Sequence, residues 1–91
     1  MFTLKFYRQT GGFEVRQASR IKVQPTGNSI PKGDTVVSAA ESDHPTHRIE
    51  YEDGISNAIC EEWLGYDPDN HFDSMIVENI HGKTTQIVRV D

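Results

Sequence analysis

Four groups of residues in this chain have side chains and spacings that could do chemistry. Asp67, Asp69 and Asp73 surround Asn70 and His71 in one short stretch, and carboxylates gathered on a loop can hold a hard cation. Counted from Asp67, the calcium-loop pattern asks for Asp or Asn in fifth place, Gly in sixth and Glu in twelfth. The chain has His71, Phe72 and Glu78 there, so the stretch reads as a loop of turn-forming residues. His44 and His47 have a spacing that suits zinc on a helix or tight turn, but they straddle Pro45, and two further ligands would have to come from elsewhere, such as Cys60 or His71. Cys60 lies between Ile59 and Glu61 with no base in a fixed relation to it, which reads as a structural thiol rather than a nucleophile. Glu61 and Glu62 invite an acid–base reading, but solvation explains them as well. Nucleotide-binding glycine motifs and HExxH are absent. The expectation is no catalytic residue, no metal and no cofactor, with a small metal- or cysteine-dependent enzyme ranked last among three functions.

The charges offer binding surfaces instead. The net charge is -5. Residues 1–32 carry six bases and the single acid Glu14, whereas residues 33–91 carry three bases and thirteen acids. Lys5, Arg16, Arg20 and Lys22 are expected on one face around Tyr7, where cations could hold phosphates and the ring could stack a base. The net negative charge works against that reading. The acids form two groups: Glu50, Glu52 and Asp53 together with Glu41 and Asp43, and Glu61 and Glu62 together with Asp67 and Asp69. Tyr51, Trp63 and Tyr66 could be aromatic anchors beside them. The leading function is therefore a small acidic protein–protein interaction module without catalytic activity: an adaptor, inhibitor or assembly subunit. Its partner would be another protein with a basic surface. The alternative is a nucleic-acid-binding module using Lys5, Tyr7, Arg16, Arg20 and Lys22. Open strand edges add a route to self-association or strand addition.

These surfaces depend on the elements that carry them. Gly11-Gly12, read as a two-residue turn, pairs Arg8 with Val15, Phe6 with Gln17, Leu4 with Ser19 and Phe2 with Ile21. Period-two alternation then gathers Phe2, Leu4, Phe6, Phe13, Val15, Ile21 and Val23 on a dry face, with the charges opposite. Pro25–Asp34 reads as a loop, Thr35–Ala40 as a short strand and Glu41–Pro45 as a turn. Residues 47–52 alternate, with Ile49 and Tyr51 inward and Arg48, Glu50 and Glu52 outward, before Asp53-Gly54. Residues 55–64 have apolar side chains near one helical face, Asp53 or Ser56 as a cap and Gly65 at the end, which predicts a short helix. Phe72–Ile80 pairs with Lys83–Val90 around His81-Gly82. That sets Met75 against Val88 and Val77 against Gln86, with Ile76, Ile80 and Ile87 on the other face.

The chain has 91 residues and a mass of 10.3 kDa, with a mean hydropathy of -0.59. That length suits one small β-rich domain over 1–91. The expected fold is mainly β or α+β: an antiparallel sheet or partly open barrel of five to six strands with one short helix. One cysteine excludes an internal disulfide. No stretch resembles a membrane span or a signal peptide, so a cytoplasmic location is the default.

Overall fold

The structure, a computed structural model, describes residues 1–26, 45–67 and 69–90. Of the expected loop Pro25–Asp34, strand Thr35–Ala40 and turn Glu41–Pro45, residues 27–44 lie outside the described residues, His44 among them, and Pro45 belongs to a strand. Among the described residues there are six strands: β1 (Phe2–Tyr7), β2 (Phe13–Pro25), β3 (Pro45–Asp53), β4 (Ile59–Gly65), β5 (Ser74–Glu78) and β6 (Thr84–Arg89). They form one open, all-antiparallel sheet in the order β4-β3-β2-β1-β5-β6. Pro25 closes β2 rather than opening a loop, opposite His47.

The expected helix over 55–64 is not formed, and no helix occurs among the described residues. Asp53 does act as a cap, but for a turn. Its Oδ1 accepts the N–H groups of Ile55 at 2.8 Å and Ser56 at 2.9 Å. Asn57 then adopts a left-handed backbone (φ 59°), which ends the helical turn at once. The chain reverses there and runs back along β3 as β4. Alternation replaces helical periodicity: Cys60, Glu62 and Leu64 face inward, opposite Tyr51, Ile49 and His47.

The first hairpin differs from its expected register. Phe2 pairs with Ala18, Leu4 with Arg16, Phe6 with Glu14 and Tyr7 with Phe13. The reason is the turn. Gly11 N–H donates to Arg8 C=O at 3.1 Å, Arg8 N–H donates to Gly12 C=O at 3.1 Å, and Gly11 has φ 96°. The loop thus has three residues closed by a left-handed glycine. The change reverses the faces of early β2, so Phe13 and Val15 lie outside, and Glu14, Arg16 and Ala18 lie inside. Ser19 is an extra residue between Ala18, opposite Asp53, and Arg20, opposite Glu52. This bulge resets the alternation, so Ile21 and Val23 face inward after all.

The core covers the inner face. Leu4, Phe6, Ala18, Ile49, Tyr51, Leu64, Phe72, Met75, Val77, Val88 and Val90 are buried there, with Phe2, Ile21, Val23, Cys60 and Tyr66 packed against them. Phe6 is central: its ring centroid lies 5.1 Å from that of Phe72 and 6.3 Å from that of Tyr51. The sheet curls until Phe72 reaches the end strand β4. Phe72 N–H donates to Trp63 C=O, Gly65 N–H donates to Phe72 C=O, both at 2.9 Å, and Leu64 and Phe72 form an isolated parallel bridge. The next residue, Asp73, donates its N–H to Tyr7 C=O at 2.7 Å. Residues 72–73 therefore tie β4 to β1 across the inner face.

Candidate functional site

Residues of alternate parity occupy the outer face, which divides into two halves. On β2, β3 and β4 the cross-strand rows read Lys22–Glu50–Glu61, Arg20–Glu52–Ile59 and Gln24–Arg48–Trp63. The expected basic and acidic groups are thus neighbours. Arg48 Nε donates to Glu61 at 2.8 Å and its other nitrogens reach Glu50 and Gln24, while Arg20 lies 3.9 Å from Glu52. Arg48 also sits 5.9 Å from the centre of the Trp63 ring. Trp63 is half-buried on the outer face. Lys22, Arg20, Glu50, Glu52 and Ile59 border a shallow depression of about 290 Å³.

On β2, β1, β5 and β6 the rows read Phe13–Tyr7–Ser74–Arg89 and Val15–Lys5–Ile76–Ile87. Here the face is largely apolar. Phe13 is 52% exposed, Val15 44% and Ile87 51%. Tyr7 and Phe13 pack with ring centroids 5.3 Å apart and planes tilted by 35°. The ion pair between Lys5 and Glu78, at 3.3 Å, crosses the patch. Large side chains left in water on adjacent strands mark a contact surface more often than scattered single residues do.

The basic constellation around Tyr7 is not assembled. Lys5 and Tyr7 lie on the outer face, Arg20 and Lys22 join it beyond the Ser19 bulge, and Arg16 faces inward. Arg16 donates to Glu14 at 3.0 Å, and Glu14 is also paired with Arg8. These hydrogen bonds, Arg16 first, hold the Glu14 carboxyl below its ordinary pKa. Of the four cations, Lys5, Arg16 and Arg20 each face a carboxylate.

Tyr51 does not serve as an exposed anchor. Its odd position in β3 turns it into the core, and burial pushes its hydroxyl pKa up, with Cys60 and Glu62 adding to the rise and Arg16 opposing it. Tyr66 is half-buried beside the core. Glu62 faces inward next to Ile49, and burial raises its carboxyl pKa. Glu61 remains exposed on the outer face, and Asp53 is committed to the turn, where the N–H groups of Ser56 and Ile55 lower its pKa.

The Asp67 loop is organised by hydrogen bonds within itself. Asp67 accepts from the Asn70 side chain at 2.6 Å and from Asp69 N–H at 3.0 Å, which lowers its pKa. Among the described residues no group of three or more His, Cys, Asp or Glu side chains could hold a metal. The patch residues Phe13 and Val15 are ones that simple alternation puts in the core. Ile76 and Ile87 were visible as a second apolar face of the last hairpin. No helix among the described residues is long and apolar enough to cross a membrane. Comparison of the chain with protein-family models, curated proteins and solved structures finds no match.

Proposed function

We propose that this protein is a small, non-catalytic protein-interaction module that meets its partner through the outer face of the sheet. The observation that carries the reading is the row-by-row exposure of Phe13, Val15 and Ile87 beside Tyr7 and Ile76. Covering that patch would remove apolar area from water at about 25 cal/mol per Å² before the costs of association. The acids Glu50, Glu52 and Glu61 are engaged by cations of neighbouring strands or lie next to them. The chain's charge of -5 would speed encounter with a basic surface, while the apolar half supplies the contact.

The test compares three forms of the full chain in quantitative capture from host extract: the parent, Phe13→Ser with Val15→Thr, and Glu50→Gln with Glu52→Gln and Asp53→Asn. The reading expects a partner retained by the parent and by the acid-neutralised form, though more slowly bound by the latter, and lost by the outer-face form. A partner captured equally by all three overturns it, provided circular dichroism shows each form folded.

A further inference from the structure

The strand β6 ends the sheet, and no described residue pairs with its outer side. Its backbone orientation is set by the turns. Arg8 N–H bonds to Gly12 across the first hairpin, so even residues of β1 bond to β2 and odd ones to β5. Ser74, Ile76 and Glu78 then bond to β1, which leaves Met75 and Val77 to bond to Val88 and Gln86. The bond from Val90 N–H to Asp73 C=O at 3.3 Å agrees. By the same alternation, Ile87 and Arg89 point their N–H and C=O groups away from the sheet.

Charge on this edge runs against that of the chain. Between Glu78 and Asp91 there is no acid, and the bases Lys83 and Arg89 stand near the two ends of the strand. Neither forms an ion pair with the described residues. Between them lie Thr84, Thr85, Gln86, Ile87 and Val88, all uncharged.

We propose that β6 accepts an extended acidic peptide segment as a seventh antiparallel strand. Backbone groups of Ile87 and Arg89 would pair with the segment, its flanking carboxylates would meet Lys83 and Arg89, and an apolar side chain would lie beside Ile87 on the outer face. A nucleic acid could use the two cations and accept from the outward N–H groups, but its phosphates offer no donor to the outward C=O groups, which a peptide backbone does. The β6 of a second copy would bring four cations and no acid to one seam. The acidic strand β4 of a second copy is half occupied, because Phe72 already bonds to Trp63 and Gly65. This inference rests on the protein-interaction reading and names one segment of such a partner.

The probe is a fluorescein-labelled Glu-Thr-Ile-Thr-Val-Thr-Glu peptide titrated into the full chain and followed by anisotropy and amide NMR, beside a counterpart with Lys at both ends. Shifts are expected on β6 and not at Phe13 or Val15. The substitution Ile87→Pro removes an outward N–H at an edge position that tolerates proline, and binding should weaken about tenfold, with Ile87→Ala weakening it less. The double charge reversal Lys83→Glu with Arg89→Glu should weaken it by a similar factor and transfer preference to the Lys-ended peptide. Any of four results overturns the proposal: no binding, equal binding of the Lys-ended peptide to the parent chain, equal displacement by a single-stranded oligonucleotide, or a concentration-dependent mass abolished by Ile87→Pro. If the peptide fails while partner capture still depends on Phe13 and Val15, the edge inference falls and the outer-face reading stands.

Discussion

In the first hairpin Arg8 closes a three-residue loop by accepting from Gly11 N–H and donating to Gly12 C=O, and in the last hairpin Asn79 does the same with Gly82 and Lys83. Asn79 N–H donates to Lys83 C=O and Gly82 N–H to Asn79 C=O, both at 2.9 Å, and Gly82 has φ 77°. The strands leaving the two turns behave differently. In β6 an extra residue, Thr85, lies between the partners of Glu78 and Val77. The pairing shifts immediately, and Val88 turns inward opposite Met75. In β2 no extra residue comes before Ser19, so the phase set by the turn persists through all six pairs with β1. Phe13 and Val15 are consequently left in water. The distance from a turn to the next bulge thus determines how much of a strand inherits the turn's choice of face.

The hairpins also differ in enclosure. The first lies within the curled part of the sheet, beneath the Phe72 tie, while among the described residues β6 has one neighbour. The largest test of this contrast is a pair of truncations. Phe6→Ala should cost about 3–5 kcal/mol, because the ring is fully buried between Phe72 and Tyr51. Val88→Ala should cost about 1.5 kcal/mol. Equal losses in denaturant unfolding would place the centre of the core elsewhere.

Next in size is Gly65→Ala. A Cβ at this position would overlap the buried His71 ring, so the ring or the backbone must shift at a cost of about 1–3 kcal/mol. Amide exchange should accelerate at Phe72 and Gly65 before it does in the β5–β6 ladder. Uniform acceleration would show that the tie is not a separate unit.

A smaller effect sharpens the likeness of the turns. Gly11→Ala and Gly82→Ala meet nothing within 4 Å, so each should cost only the left-handed backbone penalty, about 1 kcal/mol. Thermal unfolding should give matching losses, and a twofold disparity would mean that the shared hydrogen bonds conceal different backbone strain.

The smallest effect concerns the enclosed side alone. Burial holds the His47 pKa below its ordinary value. The unfolded chain therefore takes the proton first as pH falls through about 6.5, and stability declines toward the folded pKa. Glu62 contributes with the opposite sign. Burial raises its folded pKa, so its part grows as pH falls through that value. Replacing His47→Gln should flatten the dependence of stability on pH just below neutrality, and an unchanged slope would assign it to other groups.

Much of the last hairpin was legible in the sequence. Met75 opposite Val88 and Val77 opposite Gln86 are the pairs that a two-residue turn at His81-Gly82 predicts, and both form even though the turn is a three-residue loop. Thr85 absorbs the difference. The inward Ile49 and Tyr51 and the outward Arg48, Glu50 and Glu52 were equally legible, because β3 keeps one alternation between His47 and Glu52. The first register was not legible. Gly11-Gly12 suits a two-residue turn as well as a longer loop, and no residue type announces a bulge at Ser19. The expected basic face failed for the same reason, since Arg16 and Arg20 lie on opposite sides of that extra residue. Residues 55–64 carried a helical pattern and a strand pattern together. Asn57 in a left-handed conformation and pairing with β3 resolved the choice, and both arise from tertiary context.

Ser19 divides β2 into two reading frames. Upstream of it an even-numbered position belongs to the interior, and downstream an odd-numbered one does. A mutational scan scored with one periodic template along the whole strand would assign half the positions to the wrong side, so tolerance at Val15 and intolerance at Ile21, both odd-numbered, are compatible outcomes of a single architecture. A redesign can recolour either segment without recomputing the other, so long as the extra residue stays between them.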